Sequence, residues 1–513
     1  MKKRFFRNRR SRYIGISTVL TVLVVVTVVL INSLFGSLAT RYEWNVPMNA
    51  EANYDVTNVC YTLLDSTFAA ATAENTAKRT SNVRILFCDT EEVWREDAVQ
   101  SYLYHTAKSL DARYDRVVLE FYDLFLNPDH FRDYTTDPQT GEAIDLNTTD
   151  IIVVCDDYYR VYQLKEFFVF ADAKRENVQG YVGERTLAAA IISAVNRTQE
   201  TACLTGNHGE VFYDYELVYL LDAAGYDVVT NFDLADEDIP AACTLLITYN
   251  PNSDLDDSQG IEESKKLDSF LAKDGNGYLV FLSNGTPTLG AMERYLKAWG
   301  VETSYHTDHA TGKTYRHTVQ DTSQSLTSDG YTIYGELSDS ASVQERFKNT
   351  ESTTVFKNAT ALKHAGDYAA GGNGTYTKGA RTLHSVYDAT RGAVLWANGV
   401  ASDGSDIMLM TLTEQKNATG GSSFVSVIAS ADFAVRDQLQ SAVYENPDVL
   451  QRLFSIMGQT DTTEGLRVKP FATSEISTIT TAQMLRWTIC LSVIPAGVIA
   501  ILGIVILVRR RRA

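Results

Sequence analysis

Hydrophobic positions along the chain fall into three textures. Two long uncharged runs stand near its ends, at residues 14–36 and 487–508. From about residue 81 to residue 300, short apolar runs alternate with segments of helical period. Apolar stretches at 81–89, 115–124, 150–157, 201–204, 226–230, 243–248 and 277–282 predict strands. The intervening segments at 91–114, 213–224, 261–273 and 289–300 predict helices. The clearest helix is 184–197, where Leu187, Ile191 and Val195 recur at four-residue steps and Ala188–Ala190 permit close packing. Gly225, Gly275 and Gly300 each follow a helical run, where a left-handed stop is favoured.

Beyond residue 300 the texture changes. Residues 301–422 are rich in Thr, Ser, Gly and Asn and show only short alternating runs, which predicts a β-rich lobe. Order returns at 423–430, an apolar strand, and at Asn446-Pro447-Asp448, which reads as N-cap, first helical position and first-turn acid. Strand–helix alternation at this density predicts parallel sheets covered by helices. The expected fold class is α/β, with extracytoplasmic flavodoxin-like, doubly wound domains, a β-rich insertion and one transmembrane helix at each end. The corresponding divisions are a basic tail at 1–13, a membrane helix at 14–36, a first α/β domain at 37–180 and a second at 181–300. The lobe at 301–422 interrupts that second domain, and 423–460 closes it. A linker at 461–486, a membrane helix at 487–508 and a basic tail at 509–513 complete the chain.

Charge sharpens the topology. The net charge is −18, yet residues 1–13 hold seven basic residues and no acid, and the chain ends in Arg509–Arg512. Each apolar run is long enough to cross a hydrocarbon core of roughly 30 Å. Their basic outer flanks predict two passes, with both termini cytoplasmic, residues 37–486 extracytoplasmic and membrane lipids around both spans. The acidic middle argues against nucleic acid as a partner, since neutralising phosphates takes cationic patches. Six cysteines without CxxC spacing lie mostly in apolar runs and read as core filler.

The densest candidate chemistry is the turn Thr205-Gly206-Asn207-His208-Gly209-Glu210, which follows a short strand and precedes a helix. In open α/β sheets such a strand–turn–helix corner is where ligands bind. His208 and Glu210 therefore read as a ligand or partner contact, or as a local structural turn. Cys203 lies within the strand, whereas a nucleophile elbow places its nucleophile in the glycine turn itself. His306, His309 and His317 are close in sequence but lack a further ligand at zinc spacing. Asp156-Asp157 ends the third strand, and Tyr158, Tyr159, Tyr162, Phe167, Phe168 and Phe170 form an aromatic cluster. No catalytic residue, metal site or cofactor is assigned.

Three stretches resemble the GldG-like auxiliary subunits of bacterial ABC transporters, a group that takes its name from gliding motility. They are the entry segment 54–67 (YDVTNVCYTLLDST), the helix–strand–turn at 184–210 and the closing segment 423–457 with Ser430-Ala431-Asp432-Phe433 and Asn446-Pro447-Asp448. The chain departs from that pattern in the intruding Asn207, in Ala431 and in the long lobe. The resemblance implies a non-enzymatic, membrane-anchored subunit beside an ABC ATPase and a multi-spanning permease, with Asp432 joining residues 205–210 as binding candidates. The chain has no GxxxxGK[ST] loop to make it the ATPase. A second reading is a cell-envelope sensor or enzyme that uses the His208/Glu210 turn.

Overall fold

The computed structural model describes residues 54–471, apart from 73–77, 137–140, 142, 171–176, 197–199, 211, 213, 348–352, 404–405, 419, 442 and 459–461. Contacts separate Met1–Asp55 from Val56–Ala513, and the elements below belong to the second unit. Helix α1 (Asn58–Ala71) begins at Thr57, whose hydroxyl accepts from the Cys60 amide. The first sheet follows, built from β1 (Val83–Phe87), β2 (Val117–Phe121), β3 (Ile151–Cys155) and β4 (Tyr158–Tyr162) in the order β2-β1-β3-β4. Helix α2 (Gln100–Arg113) connects β1 to its parallel neighbour β2. Strand β3 runs antiparallel to both β1 and β4.

Helix α3 (Gly183–Val195) leads into the larger, thirteen-stranded sheet. Five of its strands are parallel neighbours, in the order β13 (Ser422–Ile428), β8 (Gly277–Phe281), β7 (Cys243–Tyr249), β5 (Thr201–Thr205) and β6 (Asp227–Phe232). The sheet continues past β13 with antiparallel β12 (Met408–Lys416), β11 (Arg381–Ala389), β9 (Thr332–Leu337) and β10 (Val355–Lys357).

Alternation along the parallel strands divides the core in two. Ala202, Leu204, Leu245, Ile247, Leu279 and Phe281 point to one face, where they meet Leu217, Leu220 and Leu221 of α4 (Glu216–Ala223) and Leu450, Leu453 and Met457 of α7 (Asn446–Gly458). Cys203, Leu246, Tyr278 and Val280 point to the other, against Leu267 and Phe270 of α5 (Glu263–Leu271) and Met292 and Leu296 of α6 (Gly290–Ala298). Side chains at odd and even strand positions thus serve opposite faces.

Two expectations are corrected. The fold is a mixed α/β architecture with large β-sheets and not a pair of flavodoxin-like, doubly wound domains. Connection chemistry is the reason. Parallel strands need a long crossover, usually a helix, while a two-residue turn forces a hairpin. Asp156 and Asp157 form such a turn between β3 and β4, with Asp156 at φ 54°. The lobe, too, contributes β9, β10, β11 and β12 to the main sheet as antiparallel strands. The expected transmembrane flanks and two-pass localisation are corrected as well. No helix among the described residues is long and apolar enough to cross a membrane, and the runs at 14–36 and 487–508 lie outside the described residues.

Candidate functional site

Strand order reverses at β5. The chain leaves β5 for β6 on one side, then returns to β7 on the other and continues outward to β8. Such a reversal opens a crevice at the carboxyl ends of the strands. Residues 206–210 follow β5 into that crevice. The first residues of the β7–α5 loop enter it from the other side.

His208 occupies the crevice and is sealed from solvent, with 1% of its surface exposed. Its Nδ1 lies 3.2 Å from Glu210 Oε1, and its Nε2 lies 3.0 Å from Glu263 Oε2. Both carboxylates are buried at the side chain. Glu263 sits in the first turn of α5, where a negative charge complements the exposed amides of the helix start. The carboxylates have further donors of their own. Glu210 accepts from the His208 amide at 2.7 Å and from the Thr205 hydroxyl. Glu263 accepts from Asn207 Nδ2 at 2.7 Å and from the Asp256 amide at 2.6 Å.

Two acids facing one imidazole settle its charge. Burial alone would lower the His208 pKa, but hydrogen bonds to Glu210 and Glu263 outweigh it and hold the group up at about 9. Burial likewise works to raise the Glu210 pKa, and the bonds from His208 and Thr205 instead keep it below the usual carboxylate range. At neutral pH the centre of the crevice is an imidazolium clamped between two carboxylates.

The backbone of the turn is equally committed. The His208 carbonyl accepts from the amides of Asn252 and Ser253, both at 2.8 Å, and the Gly209 carbonyl accepts from Asn252 Nδ2 at 2.8 Å. Gly209 adopts φ 67°, a left-handed conformation that favours glycine. At Gly206 a Cβ would come within 2.7 Å of the Asn231 Cα, so β6 can approach only a residue without one. Asn207 Oδ1 accepts from the Leu234 amide at 3.3 Å. Below the turn, the Thr205 hydroxyl bonds Thr248 Oγ1 at 3.0 Å, which in turn lies 3.0 Å from the Tyr278 hydroxyl. This polar chain ties β5, β7 and β8 together across the top of the sheet.

Thr205, Gly206, Asn207, His208, Gly209 and Glu210 therefore converge on one cluster. Asp432 does not join it. It lies in the turn after β13 and accepts from Asn358 Nδ2 at 2.6 Å. Sequence reasoning missed Glu263, which is 55 residues from His208; an acid in the first turn of a predicted helix was its only signal. Cys203 is buried in β5, and all five described cysteines are free. The other candidates take structural places. Asp157 pairs with Arg79 at 2.9 Å. His317 is buried, with Nδ1 2.9 Å from Ser304 Oγ, and burial lowers its pKa. Among the described residues, no group of three or more His, Cys, Asp or Glu side chains is arranged to hold a metal ion.

No family model and no curated protein sequence matches the chain. Among solved structures, the mmIFT52 N-terminal domain is similar at 14% identity and a TM-score of 0.36, over 50% of this chain and 97% of that one. The exo-β-1,4-mannosidase Op5Man5 from Opitutaceae bacterium strain TAV5 is similar at 10% identity and a TM-score of 0.28, over 79% of this chain and 57% of that one. The chain thus spans little more than half of the mannosidase's length. Likeness at this level carries no argument about fold or activity.

Proposed function

We propose that this protein is a non-enzymatic binding subunit that works beside an ABC ATPase and a permease. The observation behind the non-enzymatic part is the saturation of the crevice. His208, the group best placed for acid–base chemistry, has both ring nitrogens engaged by buried carboxylates of its own chain. A general base must reach a substrate proton, and this one is sealed. The partnership rests on the resemblance of residues 54–67, 184–210 and 423–457 to GldG-like auxiliary subunits. On this reading the turn at 205–210 holds the strand ends in register, and partner contacts lie elsewhere on the surface.

Affinity purification of the tagged full-length chain from its native cells, in mild detergent, tests the partnership. The expected result is co-purification of an ABC ATPase and its permease at comparable amounts. Recovery of neither overturns it.

A further inference from the structure

Strand β2 (Val117–Phe121) ends the first sheet, with β1 on one side and no strand on the other among the described residues. The Val83 amide donates to the Arg116 carbonyl at 2.7 Å, and the Tyr122 amide donates to the Phe87 carbonyl at 3.1 Å. Main-chain groups alternate in direction along a strand, so Arg116, Val118, Glu120 and Tyr122 face β1 while Val117, Leu119 and Phe121 face away from it. The Val117 amide turns back onto the Tyr114 carbonyl at 2.9 Å. The amides and carbonyls of Leu119 and Phe121 have no hydrogen-bond partner among the described residues. An open row of this kind is a template for a further strand.

Other sheet edges are blunted. A register shift interrupts β6, where Asn231 adopts φ 58°, and β10 has only three residues. Strand β4 carries Arg160, tied to Asp222 of α4 at 2.5 Å. Strand β2 has no proline, no lysine and no break in register. Its one charge, Glu120, is neutralised by two hydrogen bonds from Arg84, at 2.7 and 2.9 Å. Phe125 and Leu126 follow shortly after, each 79% exposed. Asp123 Oδ1 holds that turn in place by accepting both of their amides at 2.9 Å.

The residue pattern of the strand selects its occupant. Laid antiparallel on a second copy about a twofold axis at Leu119, β2 sets Leu119 opposite Leu119 and Val117 opposite Phe121, so apolar meets apolar. The two Leu119 main chains exchange bonds, and each Phe121 amide meets an open Val117 carbonyl. Moving the axis to Glu120 would set two carboxylates face to face, which is destabilising. A five-residue edge falls short of the roughly 1,200–2,000 Å² that a stable interface buries, and Phe125 and Leu126 add apolar area beside it. The resulting dimer is weak and concentration-dependent. We infer that β2 is a dimerisation edge, through which two copies of this chain join their first sheets antiparallel about Leu119.

Sedimentation velocity of the full chain in detergent, over a concentration series, tests the inference. The native chain should pass from monomer to dimer as concentration rises. Leu119→Lys and Leu119→Glu each set like charges opposite one another across the axis, and each should weaken self-association more than about tenfold. Mixed in equal amounts, the two variants should associate again, because lysine then faces glutamate; association through any other surface would not show this rescue. Circular dichroism checks that each variant is folded. Should the charged variants fail to fold, Leu119→Pro carries the comparison. It removes an amide that faces away from β1, a place where an edge strand tolerates proline, and should also weaken the dimer. A native chain that stays monomeric, as it would if the edge took a strand from elsewhere, overturns the assignment. So does undiminished association of the variants, or a mixture of the two charged variants that stays monomeric. None of these outcomes bears on the transporter partnership.

Discussion

Replacing His208 by alanine is the sharpest perturbation of the crevice. After the change Glu210 keeps two donors, the residue-208 amide and the Thr205 hydroxyl. Glu263 also keeps two, from Asn207 and Asp256. Hydrogen-bond satisfaction therefore survives; the loss is the positive charge between two buried acids. Breaking a buried pair by removing one partner costs about 3–5 kcal/mol, because the remaining charge is uncompensated. An exposed pair would cost about 0–1 kcal/mol. At about 2–4 °C for each kcal/mol, the larger cost corresponds to a fall in melting temperature of roughly 6–20 °C. Urea denaturation at pH 7, followed by circular dichroism, measures the difference. Adding Glu263→Gln to His208→Ala should recover at least about 1 kcal/mol, the coupling expected of residues in one network. A loss below about 1 kcal/mol for His208→Ala would refute the argument, since it would mean that the carboxylates are hydrated and the crevice is open.

Four further outcomes follow from the structure. The His208 pKa rises from 6.5 unfolded to about 9 folded, so its contribution is fully present below pH 6.5 and is lost as pH rises through 9; stability against pH should fall on that limb in the native chain and stay flatter in His208→Ala. The lowered Glu210 pKa has the opposite sign, with stability present above pH 4.5 and lost as pH falls through the folded value. Gly206→Ala drives a Cβ toward the Asn231 backbone at 2.7 Å and should cost about 1–3 kcal/mol in the urea midpoint, as overpacking does. Glu445 is 0% exposed, neither of its carboxylate oxygens is hydrogen-bonded, and burial pushes its pKa up from 4.5 to about 7 against the pull of Arg452. Its folded form retains a proton that the unfolded chain releases, so stability declines as pH rises from 4.5 to 7; Glu445→Gln should flatten that decline in a urea series across this range.

Much of the local structure was legible because its signal is local. Glu184–Arg197 predicts a helix from four-residue spacing, and the structure has one at Gly183–Val195. The apolar runs at 201–204, 243–248 and 277–282 are strands, since each is buried along its length by helices on both faces. Strand direction was not legible. Alternation cannot distinguish a helical crossover from the hairpin at Asp156-Asp157, and one antiparallel strand changes the class of the sheet. Asn446 shows a subtler limit. The sequence casts it as an N-cap, yet its amide bonds the main chain of Val355 in β10 and the Phe433 carbonyl, fixing α7 to the sheet. Glu263 was hidden for a similar reason: nothing local indicates that the start of one helix reaches the turn after a distant strand.

The charge state of His208 is the most direct measure of whether the crevice is sealed by its own side chains. Nitrogen-15 chemical shifts of the His208 imidazole, followed from pH 5 to 10, report it. The account predicts an imidazolium at pH 7 that titrates near 9. A neutral ring at pH 7, titrating at or below 6.5, would contradict it.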